Sequence, residues 1–218
     1  MPPMDTTRRT LLGAAMASPL LAQFSGTAAA ASVDDTWGTV SDAWVEIRWT
    51  ASAQAQLDRL EAVVEAVPPA RLIKGSEGAV LRFPVRTGRG EPSLNDLSKA
   101  RGEGGLDGGL TVRTPQGTFR VTGLRGTLRE EVASGTCVVN GVEAGHRSLF
   151  RCGVAKGRLT AEQVPAGRPL KVRVGDMPLH PTPDLVEAFS ATFGKPVFST
   201  GTVLAHLSAE GVYTPPKR

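Results

Sequence analysis

Leu110-Thr111-Val112-Arg113-Thr114-Pro115-Gln116-Gly117-Thr118-Phe119-Arg120-Val121 decides the fold class. Leu110 and Val112 alternate with polar neighbours, as do Phe119 and Val121, and period-two alternation marks a strand with one face buried. Between the two runs, Pro115 presets φ for a turn and Gly117 closes it, so the stretch predicts a β-hairpin. The same grammar recurs outward in both directions. Trp44 to Trp49 alternates, with Val45, Ile47 and Trp49 on one face. Ala79 to Val85 reads as a strand with Pro84 marking an edge or bulge. Leu124 to Val132, Leu149 to Val154, Arg158 to Val164 and Leu170 to Val174 follow, then Val197-Phe198 and Thr202 to Leu207. Short strands punctuated by turns, without regular βαβ alternation, predict a mainly β (α+β) domain built as an antiparallel β-sandwich or barrel.

Two segments break that period. Over Ala51 to Val67, Leu57, Leu60, Val63, Val64 and Val67 recur at helical spacing; Thr50 or Ser52 caps the start and Pro68-Pro69 stops it. Later, Thr182 is an N-cap, Pro183 the first helical residue, and Asp184 and Glu187 suit the positive end of a helix. Leu185, Val186, Phe189 and Phe193 form its apolar face and Gly194 ends it. One N-terminal and one C-terminal amphipathic helix are therefore expected to pack on the sheet. Residues 87–109, rich in Gly, Asp, Arg and Ser, read as the longest loop.

The N-terminal residues read as an export signal. Thr7-Arg8-Arg9-Thr10-Leu11-Leu12 places a pair of arginines before an uncharged stretch from Leu11 to Phe24, and Ala28-Ala29-Ala30-Ala31 offers small-residue cleavage sites. Arg8 and Arg9 resemble the pair of a twin-arginine signal, a receptor-read address that implies passage of a folded domain. The apolar stretch is shorter than the roughly 20 residues that span a bilayer, so no stable membrane span is expected in the mature form. The organisation expected is a signal peptide over 1–31, a flexible lead over 32–41, one β-rich domain over 42–213 and a tail over 214–218, located in the medium or at the cell surface.

Two cysteines, Cys137 and Cys152, flank Asn140-Gly141, a dipeptide that favours positive φ at both positions and so a hairpin turn. In an exported chain such a pair predicts a disulfide. The net charge of +4 is spread out, with no basic stripe interleaved with aromatics, so nucleic acid is not expected. The three histidines, His146, His180 and His206, form no H-x-x-x-H pair; Asp176 and His180 could offer two ligands from one loop, and neither metal nor cofactor is expected on that basis. No G-x-S-x-G elbow is present, and no catalytic residue is assigned. Gly104 to Gly109 is glycine-rich, follows no strong strand and opens no helix. These absences favour a non-catalytic exported binding or structural module whose partner is a cell-wall or surface component. An extracellular hydrolase assembled only in the fold, and a haem or metal carrier, are the alternatives.

A pattern over roughly residues 79–213 carries a family resemblance. Phe83-Pro84-Val85, Gly108-Gly109-Leu110-Thr111-Val112, the segment Thr182 to Gly194 and the following Thr200-Gly201-Thr202 look like the secreted β-sandwich proteins of actinobacteria, some related to haem-uptake surface domains of the HtaA type. The resemblance implies a tyrosine and a histidine near the iron in haem-binding members; Tyr213 is the only tyrosine of this chain.

Overall fold

The computed structural model describes residues 37–75, 78–93, 99–128, 131–152 and 158–217. The chain divides into two units, Met1–Asp34 and Asp35–Arg218; the described residues belong to the second, and the export signal with Arg8 and Arg9 lies outside them. They form, in order, β1 (Gly38–Trp49), α1 (Ala51–Arg59), β2 (Val63–Val67), β3 (Arg71–Gly75), β4 (Gly78–Glu91), β5 (Arg101–Leu106), β6 (Gly109–Thr114), β7 (Gly117–Thr127), β8 (Val132–Val139), β9 (Val142–Cys152), β10 (Leu159–Ala161), β11 (Leu170–Pro181), α2 (Pro183–Phe193) and β12 (Ala205–Thr214). Among the described residues no helix is long and apolar enough to cross a membrane.

Eight strands close on themselves. The order β7-β5-β4-β1-β12-β11-β9-β8 is completed by pairing of β7 with β8, every neighbour antiparallel. Closure removes the exposed edges that an open sheet would present. The remaining strands are additions to this barrel: β6 pairs with the first half of β7 and carries β2, β3 pairs with the first half of β4, and β10 pairs with β11. The β6–β7 hairpin is the one anticipated from Leu110 to Val121, with Leu110 opposite Val121 and Val112 opposite Phe119. The β8–β9 turn is likewise as expected, Asn140 at φ 51° and Gly141 at 84°.

One end of the barrel is filled. There β1 and β11 finish at Trp49 and Pro181, and α1 and α2 begin. Thr50 caps α1 by accepting from the Ala53 N–H at 3.2 Å. Thr182 caps α2, its Oγ1 accepting from the Leu185 N–H at 3.3 Å and donating to the Ser148 carbonyl at 2.7 Å. Gly194 ends α2 in the left-handed region at φ 73°. Phe189 lies mid-stripe, with ring centroids of Phe119, Phe193 and Phe198 at 4.8, 5.1 and 5.7 Å. Ala53, Leu57, Leu149, Leu185 and Leu204 are buried in the same cluster.

Several expectations are corrected. The N-terminal helix stops at Arg59: Glu61 turns back at φ 53°, and Val63–Val67 forms the strand β2 against β6, because β-branched side chains fit a pleated surface better than a helix. The strand β1 begins at Gly38, inside the stretch read as a flexible lead. Within residues 87–109, residues 87–91 finish β4 and Arg101–Leu106 form β5. Residues 175–181, read as a loop, continue β11 past a bulge at which Asp176 adopts φ 50°. Val197-Phe198 is not a strand, although Phe198 is buried. Finally, Cys137 and Cys152 are free thiols, not a disulfide. Cys137 sits opposite Gly145, whereas Cys152 lies beyond Arg151, which faces Val132 at the other end of β8. Five residues along β8 separate the two positions, about 16 Å at ~3.3 Å per residue, and a bridge needs Cα atoms within about 7 Å.

Candidate functional site

The other end of the barrel is hollow. A cavity of about 300 Å³ occupies its lumen and is lined by all eight barrel strands, a size at the lower end of small-molecule sites. Along β12 it runs from Leu207 to Tyr213, six residues or about 20 Å of strand.

The two walls differ in kind. On β11 and β12 the lumen is lined by Val172, Val174, Met177, Leu179 and Leu207. The bulge between Val174 and Met177 lets both point inward although they stand an odd number of positions apart. The wall of β4, β5 and β7 is glycine: Gly88, Gly90, Gly102, Gly104 and Gly126 all line the cavity. They are neighbours across the strands, Gly88 opposite Gly104, Gly104 opposite Gly126, and Gly90 opposite Gly102. A side chain at each would project into the lumen or against the next strand, so their absence leaves a flat surface of backbone. Outward residues of the same strands are charged, as in the Arg89–Glu103 pair at 2.5 Å. This wall is the stretch that the sequence presents as a loop. Its signal was there as glycine alternating with charge in Gly88-Arg89-Gly90-Glu91, Arg101-Gly102-Glu103-Gly104 and Arg125-Gly126-Thr127, a period of two with glycine in the usual place of an apolar residue.

Tyr213 is the tyrosine that lines this lumen. It is 6% exposed and its ring lies against Gly38, where a β-carbon would stand 2.6 Å from it. Burial pushes the phenol above its ordinary pKa; a hydrogen bond with the Gly38 backbone works the other way and the charge of Glu91 adds to the rise. Cys152 also lines the lumen, its thiol pushed up to about 11 by burial and by Glu131. Cys137 is buried apart from it, also at about 11, chiefly through burial.

The histidines do not join them. His146 and His206 lie on outward-facing positions, as does His180 beside Arg151. The Nε2 of His146 meets Ser134 Oγ at 2.8 Å, but the pair is exposed on a sheet face, and among the described residues no carboxylate ion-pairs with that histidine; it has no third member to orient it as a hydrolytic site requires. Asp176 approaches His206, Oδ1 to Nδ1 at 2.9 Å, rather than converging with His180, and Arg158 stands 3.5 Å away. Nδ1 of His180 is buried with no hydrogen-bond partner among the described residues. Among the described residues no cluster of three or more His, Cys, Asp or Glu could hold a metal ion.

The fold has counterparts among solved structures. The chain shares its fold with the C-terminal domain of HtaA from Corynebacterium glutamicum. The TM-score is 0.50 at 10% identity, over 81% of this chain and 99% of that one. The heme-binding protein HtaB of the same organism is also similar, with a TM-score of 0.43 at 10% identity over 81% of this chain and 94% of that one. No family model matches the chain, and no curated protein matches it.

Proposed function

We propose that this domain is an exported, non-catalytic carrier of haem, with the barrel lumen as its site and Tyr213 as the residue that would meet the iron. The observation that carries the reading is a single phenol buried in a cavity lined chiefly by aliphatic side chains and glycine backbone, with Phe150 and Cys152 also on its wall and charged residues among the others that line it. A flat, carbon-lined slot suits a planar apolar macrocycle, and apolar burial is the main source of its binding energy. The residues present fit the group in two respects. The glycine wall keeps vacant the volume that five β-carbons and their side chains would fill, and Tyr213 offers an oxygen of the kind that ligates haem iron in catalase. When bound, haem supplies an iron that accepts a fifth ligand. The chain's own part is to exclude water along β11 and β12, to present the Tyr213 oxygen, and to hydrogen-bond it through the Gly38 backbone. The HtaA-type fold, and the resemblance of residues 79–213 to haem-uptake surface domains, support the same reading. Export through Arg8 and Arg9 would place the domain where such cargo is met.

Titration with hemin tests it. The purified mature domain should develop a sharpened, shifted Soret band with one-to-one stoichiometry. Tyr213→Phe should weaken hemin binding about tenfold and change the spectrum, while iron-free protoporphyrin should bind the parent and this variant alike. A parent protein that leaves the hemin spectrum as it is in buffer overturns the reading of the lumen; a variant with an unchanged spectrum and affinity overturns the role of Tyr213.

A further inference from the structure

Three strands have a single partner: β2 with β6, β3 with β4, and β10 with β11. Two of their free edges face each other. On β4, residues 78–82 pair with β3 and residues 85–91 with β5, both on the edge away from β1. On β7, residues 117–122 pair with β6 and residues 125–127 with β5, both on the edge away from β8. Beyond the end of β5, then, β3 reaches in from β4 while β6 and β2 reach in from β7. The free edges of β2 and β3 meet across a seam in the wall.

The seam has a fixed apex. The turn Pro68–Ala70 joins the two strands, and the Ala70 N–H donates to the Val67 carbonyl at 3.2 Å. The turn is seated on Gly108, where a β-carbon would stand 2.5 Å from that carbonyl and 2.6 Å from the Ala70 nitrogen. From there β2 and β3 part without forming a ladder, so each leaves a row of backbone donors and acceptors open to strand addition. Each edge is about 16 Å long, room for about five extended residues.

The side chains along the seam are apolar and cationic. Val64, Ala66 and Leu72 pack against the core, so by alternation Val63, Val67, Arg71 and Ile73 lie on the outer face. Among the described residues three large apolar side chains are exposed, and two of them, Val63 at 55% and Ile73 at 39%, flank this seam; the third is Val142. Arg71 and Lys74, the charged residues of β3, are exposed, and among the described residues no carboxylate ion-pairs with either. Glu65 of β2 pairs with Arg113. The other charges nearby are Asp58 and Arg59 at the end of α1 and Glu61 just before β2.

We infer that the seam is a docking site for a single extended peptide, aliphatic at alternate positions and acidic at its ends. Such a segment adds as a strand: its backbone supplies the ladder, its aliphatic side chains cover Val63 and Ile73, and its carboxylates meet Arg71 and Lys74. A lone strand has two free edges to give to a seam with two edges. The edge strand of a second barrel already spends one of its edges on its own sheet, so a second copy fits less well. None of the seam residues lines the lumen, and the inference stands apart from what the lumen holds.

The probe is a seven-residue peptide of alternating valine and threonine with an aspartate at each end, capped at both termini. The mature domain should bind it one-to-one. The same peptide N-methylated at alternate residues, and a version with lysine in place of aspartate, should each bind about tenfold more weakly. Val63→Lys should lose about tenfold as well, with melting temperature and hemin titration unchanged, whereas Val142→Lys, the same change at the other exposed valine, should lose nothing. R71S/K74S should abolish the preference for aspartate over lysine. Equal losses at Val63 and Val142, or equal binding of the N-methylated peptide, would show attraction without strand addition and overturn the seam. Failure of the parent to bind the peptide would do the same. Concentration-dependent dimerisation that Val63→Lys removes would overturn the peptide in favour of a second copy.

Discussion

A β-carbon on Gly38 would stand 2.6 Å from the ring of Tyr213 and 2.2 Å from the Thr214 carbonyl. The first residue of β1 is therefore what allows the last turn of lumen wall on β12 to carry an inward aromatic. Gly38→Ala should force the end of β12 away, at a cost of about 1–3 kcal/mol, the usual range for overpacking. It should also disturb hemin binding as Tyr213→Phe does, through displacement of the phenol. Spectra and melts on the same sample check both; a variant that melts and binds like the parent would show that Tyr213 is not held by this contact.

The filled end should behave as an ordinary core. Phe189 is 5% exposed and touches three other aromatic rings. Phe189→Ala should cost roughly 3–5 kcal/mol, a large part of a total of about 5–15 kcal/mol. Denaturant unfolding reads the loss directly. A variant as stable as the parent but deficient in binding would instead make α2 part of the functional surface.

Both thiols should be free and slow to react. With burial holding Cys137 and Cys152 at about 11 instead of 9.0, almost none of either is thiolate near neutrality, and the thiolate is the nucleophile. Unfolded protein should take up two equivalents of alkylating agent without reductant, and native protein far less. The linkage has a definite sign. Each group is held protonated by the fold, so its contribution is fully present below pH 9 and is lost as pH rises from 9 towards 11. Stability measured across that window should fall, and the Cys152→Ser variant should fall less steeply. A mass two hydrogens short of the dithiol form would contradict the geometry of β8 and β9.

How far the sequence discloses this arrangement depends on what each residue is seen against. Thr182, Pro183 and Gly194 act within a few residues of their own backbone, so the limits of α2 are legible locally, as are the Thr114–Gly117 and Asn140-Gly141 turns. Val63, Val64 and Val67 fit a helical period as well as a strand; the choice was made by β6, about fifty residues away, which no local pattern shows. The disulfide expectation failed for a related reason: two cysteines around a hairpin turn need matching register, and register is a property of the pair of strands. The glycine wall was misread because glycine inside a strand carries no apolar signal, and its meaning appears only when Gly88, Gly104 and Gly126 meet side by side. Tyr213 was noted only as a solitary tyrosine near the tail; its place in the lumen depends on Gly38, far off in sequence.

Export should depend on the arginine pair itself. A general secretion signal needs only positive charge ahead of its apolar stretch, whereas a twin-arginine receptor reads the two guanidinium groups. R8K/R9K keeps the charge and should leave the chain inside the cell. Blotting of medium and cell fractions checks this, and secretion of R8K/R9K at the parental rate would rule out the twin-arginine reading of Arg8 and Arg9.

The lumen should be possible to close without unfolding the barrel. Gly126 is in β7 with its neighbours Arg125 and Thr127 facing out, and a β-carbon there would find no atom nearer than the Val132 carbonyl at 4.0 Å. A larger residue consequently meets vacant volume and has no neighbour to displace. Replacing glycine inside a strand also removes an entropic penalty of the unfolded chain. Gly126→Leu is thus expected to melt at or above the parental temperature while its side chain occupies part of a cavity of only about 300 Å³. Hemin and iron-free protoporphyrin should both bind at least about tenfold more weakly, in contrast to Tyr213→Phe, which separates the two ligands. Loss of binding with retained stability is what a lumen site requires, because a site on the outer faces would not feel a leucine pointing inward. A Gly126→Leu protein that binds both macrocycles as the parent does would move the ligand out of the barrel altogether.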